Sequence, residues 1–216
     1  MKSMLVIGLG RFGKHLAQKC MELGNEVMVV DKDEACVRAL CNEVTEAHVG
    51  DCKDEEVLRA LGVSNFDVCF VCTSSDFQSS LEVTSLLKEL GAKKVVSKAD
   101  RDIHAKFLLR NGADEVVYPE RDMASRAAVK YSNNRTFDYV ELSPDYAIFE
   151  VKLPEGWAGK TVRELNVRKR FDVNVIAVKL EGKVIAMIDA DHAFDPDEHL
   201  IIAGNRHSGM RLFERR

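Results

Sequence analysis

Three glycines and one acid carry most of the chemistry that can be read directly from this chain. Gly8, Gly10 and Gly13 form G-x-G-x-x-G in "VIGLGRFGKHL", between an apolar run and an amphipathic stretch. At a strand-to-helix junction, Gly8 permits a tight turn, Gly10 lets the backbone approach a pyrophosphate, and Gly13 lets the helix pack close to the sheet. The free N–H groups and positive field of the helix start then face the phosphates. Asp31 lies 18 residues beyond Gly13, at the end of the second apolar run in "VMVVDKD". A carboxylate there can accept both ribose hydroxyls of an adenosine and disfavours a 2′-phosphate. The competing reading is that Asp31 only starts the next helix, a task for which Asp33 is equally suited.

These residues need a scaffold, and the chain supplies one. Short apolar runs predict strands at Met4–Ile7, Glu26–Val30, Glu46–Val49, Val68–Val71, Lys94–Ser97 and Glu115–Tyr118. Between and after them, helical patterns cover Arg11–Leu23, Asp33–Asn42, Asp54–Leu61, Asp76–Leu90, Asp102–Asn111 and Arg121–Ser132. Several open on Asp and end near Gly, as helix capping requires. Strict alternation predicts an α/β fold with a doubly wound parallel sheet, because each crossover returns with one hand. After Ser132 the pattern changes. "NNRTFDYVELSPDY" reads as a polar connection, and "AIFEVKL", "VNVIAVKL", "KVIAMI" and "HLIIAG" read as strands around one short helix near Thr161–Leu165. The expected organisation is a nucleotide-binding domain over 1–134 and a small α+β domain over 135–216.

Ligands of open sheets sit beyond the carboxyl ends of the strands. The third strand ends in Gly50-Asp51-Cys52, the fourth in Thr73-Ser74-Ser75, the fifth in Lys98 and the sixth in Pro119-Glu120. Hydroxyls and a lysine suit phosphates, and Asp51 suits an adenine edge. Glu120 suits a phosphate only with a cation between them. Each of these positions alone is more often a turn or cap than a contact.

The bulk composition narrows the function classes. With 46% hydrophobic and 31% charged residues the chain is an ordinary globular protein. A net charge of −4 argues against broad binding to nucleic acid. Met1 leads almost directly into Met4-Leu5-Val6-Ile7, which leaves no room for a signal peptide and predicts a cytoplasmic chain. The six cysteines all lie in the first third and read as reduced thiols. Cys69-x-x-Cys72 falls in an apparent buried strand, so its thiols are expected on opposite faces as core packing. Roughly 80 residues follow the first domain, with no visible Cys, His or Tyr–Lys arrangement for catalysis. His192, His199 and His207 fit no metal-ligand spacing and predict surface or turn placement. A nucleotide site without attached chemistry points to a sensor. A small NAD-dependent oxidoreductase is the alternative, and a redox-responsive transcriptional regulator with a Rossmann domain would need a DNA-binding helix pair, for which no segment outside the two expected domains is left.

Five segments in order, "VIGLGRFG", "VVDKD", "LLKELGAKKVVSKA", "GADEVVYPERDMA" and "LNVRKRFDVNVIAVK", resemble the regulators of Ktr/Trk-type potassium uptake, built from an RCK N-domain and an RCK C-domain. The resemblance covers essentially the whole chain. It implies a non-catalytic subunit held at the inner face of the plasma membrane by an integral-membrane potassium channel or transporter subunit. It also implies N-domains that pair and assemble into an octameric ring whose shape changes on exchange of ATP and ADP, or of NAD and NADH. Carried onto this sequence, it makes Gly8, Gly10, Phe12 and Gly13 the phosphate turn, Asp31 and Lys32 the ribose end, and Asp51, Cys52, Thr73 and Ser74 further contacts. Arg11 becomes a cation for a terminal phosphate, Lys98 a lysine near the phosphates, and Glu120 a ligand for a divalent cation. The C-domain resemblance adds cyclic di-AMP as a ligand, although Asp189 and Asp191 would oppose a dianion.

Overall fold

Strands and helices alternate through the first part of a computed structural model that describes residues 1–73, 76–132, 136–186 and 188–214. The packing divides the chain into two units, Met1–Arg121 and Asp122–Arg216. The first contains β1 (Ser3–Ile7), α1 (Arg11–Glu22), β2 (Glu26–Asp31), α2 (Glu34–Arg38), β3 (Glu46–Val49) and α3 (Glu55–Leu61). It continues with β4 (Val68–Val71), α4 (Phe77–Glu89), β5 (Val95–Lys98), α5 (Asp102–Arg110) and β6 (Glu115–Val117). Helix α6 (Pro119–Tyr131) runs across the division between the units. Ser74 and Ser75 lie outside the described residues, as do 133–135 of the expected connection and Met187 of "KVIAMI".

The sheet of the first unit is parallel, with the order β3-β2-β1-β4-β5-β6 among the described residues. Its direction of growth reverses between β1 and β4. Alternate residues feed two cores, one on each face. Leu5, Ile7, Val30, Cys69 and Val71 join one cluster, while Val6, Val27, Val29 and Cys72 join the other. The two cysteines of the C-x-x-C therefore pack on opposite sides, and burial pushes both thiols up to about 12. A redox pair needs the opposite shift.

Asp33, Asp54 and Asp76 cap α2, α3 and α4 by accepting from Ala35, Glu56 and Ser79 N–H groups. Asp102, by contrast, is the first residue of α5 and not its cap. Helix α2 is shorter than the expected Asp33–Asn42. Beyond Arg38 the chain tightens into turns, with Leu40 N–H on Val37 O at 3.0 Å and Glu43 N–H on Leu40 O at 2.8 Å. That turn places Leu40 fully in the core.

The second unit contains β7 (Thr136–Glu141), β8 (Tyr146–Lys152), α7 (Val162–Leu165), α8 (Val167–Phe171), β9 (Val173–Leu180), β10 (Lys183–Ala186), β11 (His199–Asn205) and α9 (Arg206–Glu214). Its antiparallel sheet has the order β10-β9-β11-β8-β7 among the described residues. Part of the expected polar connection is thus strand β7, which pairs with β8 and buries Tyr139 against Phe149, ring centroids 5.4 Å apart. Thr161 caps α7 in a capping box with Glu164. Asn166 then takes a left-handed conformation that separates α7 from α8. One sheet face packs on Phe149, Val151, Trp157, Phe194, Leu200 and Ile202. No helix among the described residues is long and apolar enough to cross a membrane.

Candidate functional site

The carboxyl edge of the parallel sheet is organised around the turn between β1 and α1. Gly8 has φ +90°, and a Cβ there would lie 2.6 Å from Thr73 Cγ2. A Cβ on Gly13 would lie 2.0 Å from Gly8 O, so the backbones of turn and helix touch where only glycine fits. Gly10 differs from both. Nothing lies within 4 Å of its added Cβ, so that side of the turn faces open space. Gly10 is the N-cap of α1, with no side-chain cap and no acid in the first turn. The helix thus presents its positive end to that space.

Asp31 and its neighbour Asp33 have separate tasks. Asp33 caps α2, whereas Asp31 Oδ2 accepts from Leu9 N–H in the glycine turn at 2.6 Å and Oδ1 accepts from Asp33 N–H at 2.9 Å. An ionised carboxylate has about four acceptor positions, so two remain for hydroxyl donors. The side chain is held in place by the turn it serves.

A crevice of about 530 Å³, counting its open mouth, runs along these strand ends. Of the residues expected at a nucleotide site, Gly8, Asp31, Lys32, Asp51, Cys52 and Thr73 line it. Thr73 Oγ1 is buried and has no hydrogen-bond partner among the described residues. Orphaned buried hydroxyls are costly, and a ligand oxygen or hydroxyl would satisfy this one. Asp51 Oδ1 accepts from Lys53 N–H at 3.0 Å, which is a turn role, while its side chain still borders the crevice. Burial, with Asp51 and Asp31 nearby, pushes the Cys52 thiol up to about 12. Phe12 turns its ring into the core beside α1, which leaves its backbone for a ligand.

Lys98 and Glu120 pair apart from the crevice lining, and Arg11 is not among the lining residues either. Lys98 ends β5 and donates to Glu120 Oε1 at 2.7 Å, with Asp100 Oδ1 at 3.8 Å. The Lys98 hydrogen bond is the main reason the Glu120 carboxyl lies below its ordinary range, with a smaller contribution from the Arg11 charge. Within one chain, the cation against Glu120 is thus Lys98. No cluster of three His, Cys, Asp or Glu side chains arranged to hold a metal occurs among the described residues. Ser74 falls outside them.

Lys53, Asp76 and Ser79 also line the crevice and were not singled out by sequence. Asp76 was visible only as a helix opener, and Ser79 as the residue whose N–H it caps. Lys53 follows β3, and Asp76 and Ser79 follow β4, so only the fold brings them to one crevice. Of the histidines of the second unit, His207 is exposed and His192 lies in a turn, as expected, whereas His199 does neither. His199 lies in β11, stacks on Phe137 at 3.9 Å and pairs through Nδ1 with Glu150 at 3.0 Å. His192 Nε2 pairs with the buried Glu198 at 3.0 Å.

Two family models match the chain, the TrkA-N domain over residues 4–119 and the TrkA-C domain over 146–215. Ktr system potassium uptake protein C of Bacillus subtilis (strain 168) is 38% identical, over 100% of this chain and 97% of its own. Ktr system potassium uptake protein A of the same organism is 32% identical, over 99% and 96%. Among solved structures, the GsuK channel bound to NAD matches with a TM-score of 0.67 at 18% identity, covering 96% of this chain and 38% of that one. This chain therefore spans well under half of the channel's length, and the likeness is one of fold.

Proposed function

This chain belongs to the Ktr/Trk family of potassium-uptake proteins, and on that premise we propose that it is a nucleotide-sensing regulatory subunit that gates a membrane potassium transporter. The observation that carries the reading is the tie between Asp31 and the glycine turn, beside an orphaned Thr73 hydroxyl and an open Gly10. Those features fit an adenosine diphosphate group, with the ribose on Asp31 and the phosphates at the start of α1. Gly8, Gly10, Gly13 and the Phe12 amide would hold the phosphates. Lys32, Asp51, Cys52 and Thr73 would border the nucleoside. ADP, ATP, NAD and NADH share that group, and the GsuK channel, which has this fold, binds NAD.

The site reads as a switch and not as a reaction centre. Cys52 is a nucleophile type at the crevice, but its raised pKa disfavours the thiolate that attack requires. Gating then rests on differential affinity, since a ligand shifts a conformational equilibrium only by its preference for one state. A tenfold preference is worth about 1.4 kcal/mol, so eight sites in a ring would supply about 11 kcal/mol. Such a ring would sit at the cytoplasmic face, beneath the membrane subunit. In the second unit Asp191 is partly neutralised by Arg163 at 2.8 Å, which reduces its opposition to a dianion such as cyclic di-AMP.

Arg11 opens α1 beside the phosphate position and distinguishes ligands by their terminal charge. Arg11→Ala is expected to abolish the difference between ATP and ADP in transporter activation while ADP binding survives. Flux assays with the membrane subunit, paired with calorimetry, provide the check, and equal loss of both affinities would contradict this role.

A further inference from the structure

The start of α4 has two faces with different tasks. Asp76, Ser79 and Val83 line the nucleotide crevice, whereas Phe77, Ser80 and Thr84, offset by one residue and spaced alike, turn towards α5 and β5. Thr84 Oγ1 pairs with Ser97 Oγ of β5 at 2.9 Å, which ties the second turn of the helix to the sheet. The first turn is tied to His104 of α5. His104 Nε2 lies 2.7 Å from Ser80 Oγ, and its ring packs on Phe77 with centroids 4.9 Å apart.

The hydrogen bonds fix which form of His104 belongs there. Ser80 Oγ gives its single hydrogen to Phe77 O at 2.9 Å, so it accepts from His104, and Nε2 carries the proton of the neutral ring. A second proton on Nδ1 would place a full charge on a side chain that is 2% exposed. His104 also stands in the first turn of α5, where the field of the helix is already positive. Among the described residues, the charged groups that act on it are Asp100, which favours the charged ring, and Arg101, which opposes it. From α4 it meets Phe77 and Ser80, which do not titrate in this range. Burial is the largest influence and holds the imidazole below its ordinary range. Protonation therefore works against the packing of this turn, and histidine is the side chain that can take up a proton between about pH 5 and 8.

We propose that His104 is a proton-sensitive wedge between α5 and the first turn of α4, which holds Asp76 and Ser79 at the crevice while neutral and loosens them when charged, so that acid weakens adenine-nucleotide binding. This rests on the nucleotide reading given above. Because the ordered turn favours the neutral ring, its contribution to affinity is full above about pH 6.5 and is lost as pH falls through the folded pKa. The linkage is reciprocal. A nucleotide that needs the ordered turn must make His104 harder to protonate by the same factor.

Titrations of NAD into the full chain at about pH 7.5 and about pH 5 test this against His104→Gln, whose amide can still donate to Ser80 Oγ but does not titrate. NAD itself has no group that titrates between those values. On acidification the unaltered chain is expected to lose about threefold or more in affinity, and the variant less than about 1.5-fold. Deuterium exchange at the His104 ring carbon, read by mass spectrometry, is the second measurement and needs no variant to fold. Saturating NAD should lower the pKa of His104 by about 0.5 to 1, the logarithm of the full coupling factor. If only ADP binds, it replaces NAD, and comparing the two proteins cancels the titration of its phosphate. If both proteins lose affinity alike, if the unaltered chain loses none, or if the bound nucleotide leaves the His104 pKa unchanged, the wedge is wrong while the nucleotide reading stands. If the unaltered chain binds neither NAD nor ADP at about pH 7.5, the nucleotide reading falls and takes this inference with it.

Discussion

The two units solve opposite problems with their sheets. In the first, both faces of a parallel sheet are covered, so its polar chemistry is confined to the strand ends, where Asp31, Asp51, Thr73 and Lys98 stand. In the second, one face of an antiparallel sheet packs on an aromatic core, and the other carries Glu150, Lys179 and His199 around a hollow that Phe137 borders. Strand ends of a buried sheet offer backbone amides and a helix terminus, which suit a phosphate ligand. A sheet face offers side chains, which here pair with one another. Ligand chemistry therefore concentrates in the first unit because its backbone is exposed only where the turns are.

The sharpest way to break this contrast is to fill the glycine turn. Gly13→Ala places a methyl 2.0 Å from Gly8 O, and this overpacking against backbone should cost roughly 3 kcal/mol or more, read as a loss of the urea midpoint. Gly10→Ala meets nothing within 4 Å. Its stability should be unchanged while adenine-nucleotide affinity falls, since the methyl would enter the space proposed for the phosphates. Equal stability losses in the two variants would mean that Gly10 is structural as well.

A smaller effect sharpens the other side of the comparison. Burial alone would raise the pKa of Glu150, but hydrogen bonds from His199 and Lys179 outweigh it and hold the carboxyl below its ordinary range. With a depressed folded pKa, its contribution is present above the unfolded value of about 4.3 and is lost as pH falls through the folded one. Glu150→Gln should cost about 1–2 kcal/mol at pH 7 and progressively less as pH falls below about 4.3 towards the folded pKa, with nucleotide affinity unchanged. A pH-independent cost would mean that the ion pairs contribute nothing.

Much of the first unit was legible because each level of the sequence agreed with the next. Apolar runs of strand length, Asp caps and Gly exits mostly marked the same boundaries; the departures are α2, where Leu40 folds inward instead of continuing the helix, α5, which Arg101 and not Asp102 caps, and α6, which starts at Pro119 instead of Arg121 and so takes in Pro119-Glu120. In the second unit the signals were short. The alternation of β7 was masked by the turn residues Ser143, Pro144 and Asp145 of its own hairpin. Helix α9 places Met210 and Leu212 against the core, too few apolar positions to show a helical period. At the site, Asp31 could be read because its place at the end of β2 is fixed by local order. Lys53, Asp76 and Ser79 could not, since they meet only once the segments after β3 and β4 converge on the crevice. The Lys98–Glu120 pair joins residues 22 apart in sequence, each of which looked like a separate ligand contact.

The central claim is that the Asp31 carboxylate, fixed by Leu9 N–H, receives the ribose of an adenine nucleotide. Titration of ADP into the unaltered protein and into Asp31→Ala tests it most directly. The unaltered protein should bind, and the variant should bind tenfold to hundredfold more weakly, the loss of a charged hydrogen-bond pair worth about 1.5–3 kcal/mol. Undiminished affinity in the variant would contradict the claim.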